Sequence, residues 1–232
     1  NSHFTYGYKK STVLVSLANA VILLIAVGGI LIESIYKLKN AAPISGEAIS
    51  WTAGVGIVIN GATALLLMKG QKNDLNIKGA FLHMAMDTLV SVGVVLSGIL
   101  ISFTQCYIID AFIGMAIALI ILVSTWKLLK ESLYLSLDAV PEQIQLEKLE
   151  TALSQTPGIE SWHHLHVWAV STTENAATLH VVLRNLSDME TTKHQLKHLL
   201  ATYGISHSTI EFETSDSPCC DTAEGCYKQE IQ

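Results

Sequence analysis

Four stretches of this chain carry almost nothing but apolar side chains. Ser11–Ile32 runs 22 residues without a charge, Ala48–Met68 21, Thr88–Ile109 22 and Ala111–Trp126 16. About 20 apolar residues at 1.5 Å rise cross the ~30 Å hydrocarbon layer. The pattern predicts four transmembrane helices, over residues 11–35, 48–68, 77–103 and 108–130. Helices buried in a large soluble protein offer the alternative, but four such runs in succession leave no polar face to meet water.

At Pro141 the pattern changes and a helix is expected to begin. Ile144, Leu146, Leu149 and Leu153 recur among Glu and Lys as on a helix, which Pro157-Gly158 stops. Ile159–Ser171 reads as a strand, Ala177–Asn185 as a second, with Thr172–Ala176 as the tight link. Asp188 or Ser187 is expected to cap a helix over 189–203 ended by Gly204, and Ser206–Glu213 is a third strand. The order αββαβ predicts a small ferredoxin-like α+β domain, one sheet covered by two helices. The fold class is an α-helical membrane bundle plus α+β. The expected segments are 1–136 in the membrane, 137–213 as the soluble domain, and 214–232 as a Cys-containing tail.

Charge sharpens this division. Only 15% of the residues are charged, against about 25% in soluble domains, which argues against a nucleic-acid binder or a disordered chain. Residues 1–136 carry nine Lys/Arg and six Asp/Glu; residues 137–232 carry five and fourteen, net −9, with seven of the nine histidines. Lys9, Lys10, Lys69, Lys72, Lys78, Lys127 and Lys130 fall on one side of the predicted spans, and only Lys37 and Lys39 on the other. The excess of positive charge places the start of the chain and the acidic domain in the cytoplasm. There the cysteines of the tail stay reduced, and Cys106 stands alone near a membrane surface, so no disulfide framework is expected.

Two ionisable residues stand out inside the apolar runs. His83 and Asp87, four apart, share one face of the third helix. Asp87 lies nine residues past Lys78, about 14 Å into the bilayer. An Asp there costs ~2.5–3.5 kcal/mol unless it is paired, protonated or bound to a cation. An interhelical hydrogen-bonded pair is the structural alternative; passage of an ion or proton is the reading the pair favours. Imidazole with carboxylate suits Zn²⁺ and similar borderline metals. Two ligands do not complete a tetrahedron. Asn60 is neutral, and Glu33 and Asp110 sit near helix ends, where snorkelling and N-capping are expected, so the missing ligands are expected outside this chain.

YGYKKSTVLVSLANAVILL, His83-x-x-x-Asp87 followed by TLVSVGVVLSG, IIDAFIGMAIALIILVSTWKLLKESLYLSLDAVP, and HHLHVWAVSTTENAATLHVV in the soluble half resemble the cation diffusion facilitator family of zinc transporters. The resemblance covers nearly the whole chain. It implies a six-helix antiporter, working as a homodimer in the lipid bilayer, that exports a divalent metal as protons enter. The helices here resemble the third to sixth of that plan, and the two ligands from the family's second helix are expected upstream. His in the first position of the pair matches zinc-type members, with Cd²⁺ or Co²⁺ as other substrates; manganese-type members resemble Asp-x-x-x-Asp. A plasma or inner membrane is expected, rather than an organelle.

The resemblance also implies metal binding in the cytoplasmic domain, at the dimer interface, by His163, His180, and His207 with Glu213. The two-residue period of a strand puts His207, Glu211 and Glu213 on one face, and sets His163 opposite His164 and His166. His194 and His198, four apart, read as surface decoration. Cys219, Cys220 and Cys226 with Asp216 and Asp221 form a soft, acidic tail able to catch Zn²⁺ or Cu⁺. A second reading is a membrane-anchored metal sensor or chaperone that uses only this domain. A third, an intramembrane metallohydrolase, needs a second-shell base and an open ligand position, and away from the helix ends the spans hold no second acid. The chain is therefore not expected to be an enzyme.

Overall fold

The computed structural model of the chain describes residues 3–40, 46–216 and 219. It forms two compact units, one of Ser11–Leu133 and one that joins the residues up to Lys10 to those from Tyr134 onward.

The first unit consists of helices α1 (Ser11–Lys39), α2 (Gly46–Leu67), α3 (Leu75–Thr104) and α4 (Ile108–Ser136). Among the described residues, α1, α3 and α4 are long and apolar enough to cross a membrane, and α2 has a shorter apolar stretch, Ala53–Leu67. The unit is built inside out relative to a water-soluble bundle. Ser16, Ala20, Ala111, Ala118 and Thr125 are fully buried, whereas Ile32, Leu66, Phe103 and Val123 are more than two-thirds exposed. Small and hydroxylated residues let the helices approach, and large apolar ones face lipid.

The contact of α3 with α2 depends on this. A Cβ on Gly56 would lie 3.1 Å from Ser91 Oγ, and one on Gly61 3.6 Å from Thr88 Cγ2. Asp74, which the hydrophobic pattern does not single out, starts α3. Its backbone is extended and its carboxylate accepts from the Asn76 amide at 2.8 Å, an N-cap that takes one of the helix's four unpaired donors. Lys78 near the start of α3 pairs with Glu131 near the end of α4.

The second unit has the order α5 (Leu146–Ser154), β1 (Ile159–Ala169), β2 (Asn175–Leu183), α6 (Met189–Thr202) and β3 (Ile205–Thr214). This is the αββαβ domain that the sequence predicts. β2 is central, antiparallel to β1 and parallel to β3. The parallel pair requires a crossover, which α6 supplies. Leu149, Leu153, Leu196 and Leu200 of the two helices are fully buried against Leu179 and Val181 of β2. Each such side chain contributes about 1.5–3 kcal/mol by leaving water. The helices thus cover one face of the sheet through the odd-numbered positions of β2. The even-numbered ones, His180 among them, lie on the other face.

Three local expectations are corrected. α5 begins at Leu146, not Pro141. The Ile144 amide donates to the Pro141 carbonyl in a turn, and Gln145 is non-helical at φ −83°, ψ 85°. Ile144 and Leu149 both enter the core, yet five residues place them on different sides of a continuous helix, so the chain must turn between them. The β1–β2 link comes two residues earlier than expected. Ser171 Oγ accepts from the amides of Thr173 and Glu174, and the Val170 amide donates to the Glu174 carbonyl at 2.8 Å. Asp188 precedes α6 without a capping hydrogen bond; a 3₁₀ turn over Leu186–Asp188 leads into the helix instead.

Residues before α1 pack with this second unit. Lys9 Nζ lies 2.6 Å from Glu174, and Lys10 pairs with Asp138 and donates to the Ala169 carbonyl at 2.9 Å.

Candidate metal sites

α3 carries His83 and Asp87 one turn apart, with Nε2 and Oδ2 3.7 Å from each other and both side chains part-exposed. On the same helix Met86 is buried, and Thr88 and Ser91 turn toward α2. Their hydroxyls donate back to the Met84 and Asp87 carbonyls at 2.8 Å each, so neither needs a partner on the other helix. The pair therefore stands at the edge of the α2–α3 contact with two cation-binding atoms available.

Glu33 and Asp110, near helix ends as expected, also share a cation. Lys37 Nζ lies 2.8 Å from Glu33 Oε1 and 2.8 Å from Asp110 Oδ2, and Ser97 Oγ donates to Asp110 Oδ1 at 2.7 Å. The lysine is thus shared by two carboxylates, one from its own helix and one from α4.

In the second unit, neighbouring strands bring three ligating side chains together. His163 comes from β1, His180 from β2 and Glu213 from β3, and Cys219 follows β3. One ligating atom from each lies within 4.8 Å of all the others. His180 Nδ1 is 2.7 Å from Glu213 Oε1 and 3.7 Å from Cys219 Sγ. His163 Nε2 is 3.5 Å from Glu213 Oε2, buried and without a hydrogen-bond partner. Burial holds the His163 imidazole below its ordinary pKa; the Glu213 carboxylate opposes that shift, and His180 and His164 add to it. A neutral imidazole with an orphaned buried nitrogen, beside a carboxylate and a thiol, is suited to receive a borderline divalent cation.

The remaining sequence candidates fall elsewhere. His207 is outside the four-residue group. Six residues before Glu213, or about 20 Å along β3, its ring meets Tyr6 edge-on at 5.4 Å. His194 is exposed beside Glu190, and His198 is exposed on the same helix. Cys220 and Cys226 lie outside the described residues. Strict alternation in β1 also fails. A register shift falls between His163 and His166, and His164 has φ +53°. This bulge brings the His164 ring to 5.2 Å from His163 and 5.0 Å from His180, so His164 joins the side on which His163 was expected alone.

Residues 1–135 match the family model described as the cation efflux transmembrane domain, and residues 141–215 the one described as the cation efflux protein cytoplasmic domain. The chain is 36% identical over 222 residues to the metal cation efflux system protein CzcD of Cupriavidus metallidurans, spanning 95% of this chain and 70% of that protein. It is 31% identical to a cadmium, cobalt and zinc/H(+)-K(+) antiporter of Bacillus subtilis, spanning 92% and 70%. It is 30% identical to the zinc transporter ZitB of Escherichia coli, spanning 95% and 72%. These matches join the apolar helical unit to the three-stranded domain in a single kind of molecule. The chain belongs to the cation diffusion facilitator family of membrane metal-efflux transporters, which are not enzymes.

Proposed function

We propose that the protein exports Zn²⁺, with Cd²⁺ or Co²⁺ as further substrates, in exchange for protons. His83 and Asp87 supply part of the transport site. The observation that carries this reading is an imidazole and a carboxylate 3.7 Å apart, one turn from each other on an apolar helix long enough to cross a membrane. One nitrogen and one oxygen donor favour zinc-like metals over Mg²⁺ or Ca²⁺, which take oxygen sets. The metal needs the neutral imidazole and the ionised carboxylate, so its binding releases protons and protonation expels it. At a site open to one side of the membrane at a time, this competition couples the two flows. The names of the relatives, which cite zinc, cadmium, cobalt and H(+), support the same substrates. The completing ligands come from outside these four helices. We place the transporter as a homodimer in a plasma or inner membrane.

The cytoplasmic group of His163, His180, Glu213 and Cys219 serves as a regulatory metal site. The domain's net charge of −9 from residue 137 onward makes two copies repel, and bound cations offset that repulsion. A metal sensor without transport is the second reading, favoured by the four ligating atoms gathered within 4.8 Å.

Transport in reconstituted vesicles separates the two readings. At fixed zinc, uptake by the full-length protein should follow an imposed pH gradient and stop when a proton carrier collapses it. Zinc uptake indifferent to the gradient would refute proton exchange, and absence of uptake in correctly folded protein would favour the sensor.

A further inference from the structure

Charge ties α3 to its neighbours at two levels. Toward its start Lys78 pairs with Glu131 of α4. Further along, Ser97 bonds Asp110 of α4, which in turn holds Lys37 of α1 at 2.8 Å. Asp87 falls nine residues after Lys78 and ten before Ser97, about 14 and 15 Å along the axis. Asp87 thus sits about midway between the two ties.

The second tie crosses a pocket between α1, α3 and α4, lined by Ser34, Lys37, Val90, Val94, Asp110 and Gly114 among others. Val90 and Val94 follow Asp87 by three and seven residues, so the pocket continues the His83–Asp87 side of α3. The start of α4 is the end opposite the one that leads into the cytoplasmic domain, so the pocket belongs to the side of the membrane that receives exported metal. The helices are close here. A Cβ on Gly114 would lie 2.5 Å from Ser34 Oγ, and one on Gly93 2.3 Å from Ile117 Cδ1. The Asp110 side chain is 12% exposed and that of Lys37 40%. A pair open to water on one side is weak enough to separate repeatedly, and a packed helix junction has discrete closed and parted states.

We propose that Lys37 and Asp110 form a latch that keeps the far-side mouth of the α1–α3–α4 cleft shut, and that its release lets the metal leave. Ser97 holds the Asp110 carboxylate toward α3, and Glu33, already 2.8 Å from Lys37, keeps that lysine paired on its own helix once Asp110 is released. The inference rests on His83 and Asp87 being the transport pair. Its test reads access rather than flux, so failure of one does not imply failure of the other.

The experiment uses the full-length transporter in proteoliposomes, with Cys106→Ser and a Val94→Cys reporter. A membrane-impermeant thiol reagent is added on the far side, and modification at position 94 is followed by peptide mass. Lys37→Met and Asp110→Asn should each speed modification roughly tenfold, as expected when a two-state closure loses a major contact. The exchange Lys37→Asp with Asp110→Lys should restore the slow rate, and Lys78→Met should leave it unchanged. Asp110→Asn keeps an acceptor for Ser97, so it is the variant that removes charge with least disturbance. An unchanged rate in folded Asp110→Asn protein overturns the latch, as does equal acceleration by Lys78→Met.

Discussion

His180 stands opposite Glu211 in the β2–β3 register, yet its Nδ1 lies 2.7 Å from Oε1 of Glu213, two residues further on. Glu211 remains 3.7 Å from the other ring nitrogen. Diagonal neighbours on a sheet face are within reach of long side chains, and this one leans toward His163 and Cys219. Glu213 therefore both reaches the ligand group and holds the imidazole in it. Glu213→Gln should weaken zinc binding to the cytoplasmic domain at least about 10–100-fold, the range for losing even a carboxylate that only orients a ligating histidine. Competition with a zinc-sensitive dye measures this, and an undiminished affinity would place the metal elsewhere.

Burial lowers the pKa of His163 below its ordinary value of 6.5. In the window below 6.5 the unfolded chain then binds more protons at this residue than the folded one, so stability rises with pH. The contribution is fully present above 6.5 and is lost as pH falls from there toward the lowered value. The metal-free domain should melt at a lower temperature near pH 5.5 than near pH 7.5, and His163→Gln should flatten the dependence. An identical slope in the variant would assign the effect to other groups.

Gly158 joins α5 to β1 at φ +86°, and a Cβ there would meet Thr192 Oγ1 at 2.8 Å, whereas Gly204 at φ +80° faces open space. Thr192 is 2% exposed and has little room to yield. Gly158→Ala should cost about 1–3 kcal/mol, and Gly204→Ala less, because it carries the backbone strain alone. Chemical denaturation of the two variants gives the order directly.

Among the described residues, Cys219 adds the one soft donor to the cytoplasmic group. Cys219→Ser should lower affinity for Cd²⁺ more than for Zn²⁺, since cadmium gains more from thiolate. Unchanged affinity for both metals would show that the sulfur does not ligate.

Much of this architecture is legible along the chain, because lipid and water impose opposite patterns. Uncharged runs mark helices such as α1 and α3, and alternation in β2 separates Leu179 and Val181 from His180. The cytoplasmic site is only half legible. The histidines of WHHLHVW declare metal chemistry, but their facing depends on His164 adopting φ +53°, a backbone state that alternation does not encode. His207 shares the parity of Glu213 and so looks equivalent on paper. Its distance along β3 separates them, and parity is blind to distance. The Lys37–Asp110 contact joins residues 73 positions apart, and each alone looks like an ordinary helix-end charge.

The claim on which the rest depends is that His83 and Asp87 bind the transported metal. Zinc flux into proteoliposomes by the full-length transporter, compared with Asp87→Ala at equal levels of folded, inserted protein, tests it most directly. The account predicts that Asp87→Ala abolishes flux while the cytoplasmic domain still binds zinc; flux at the wild-type rate would contradict it.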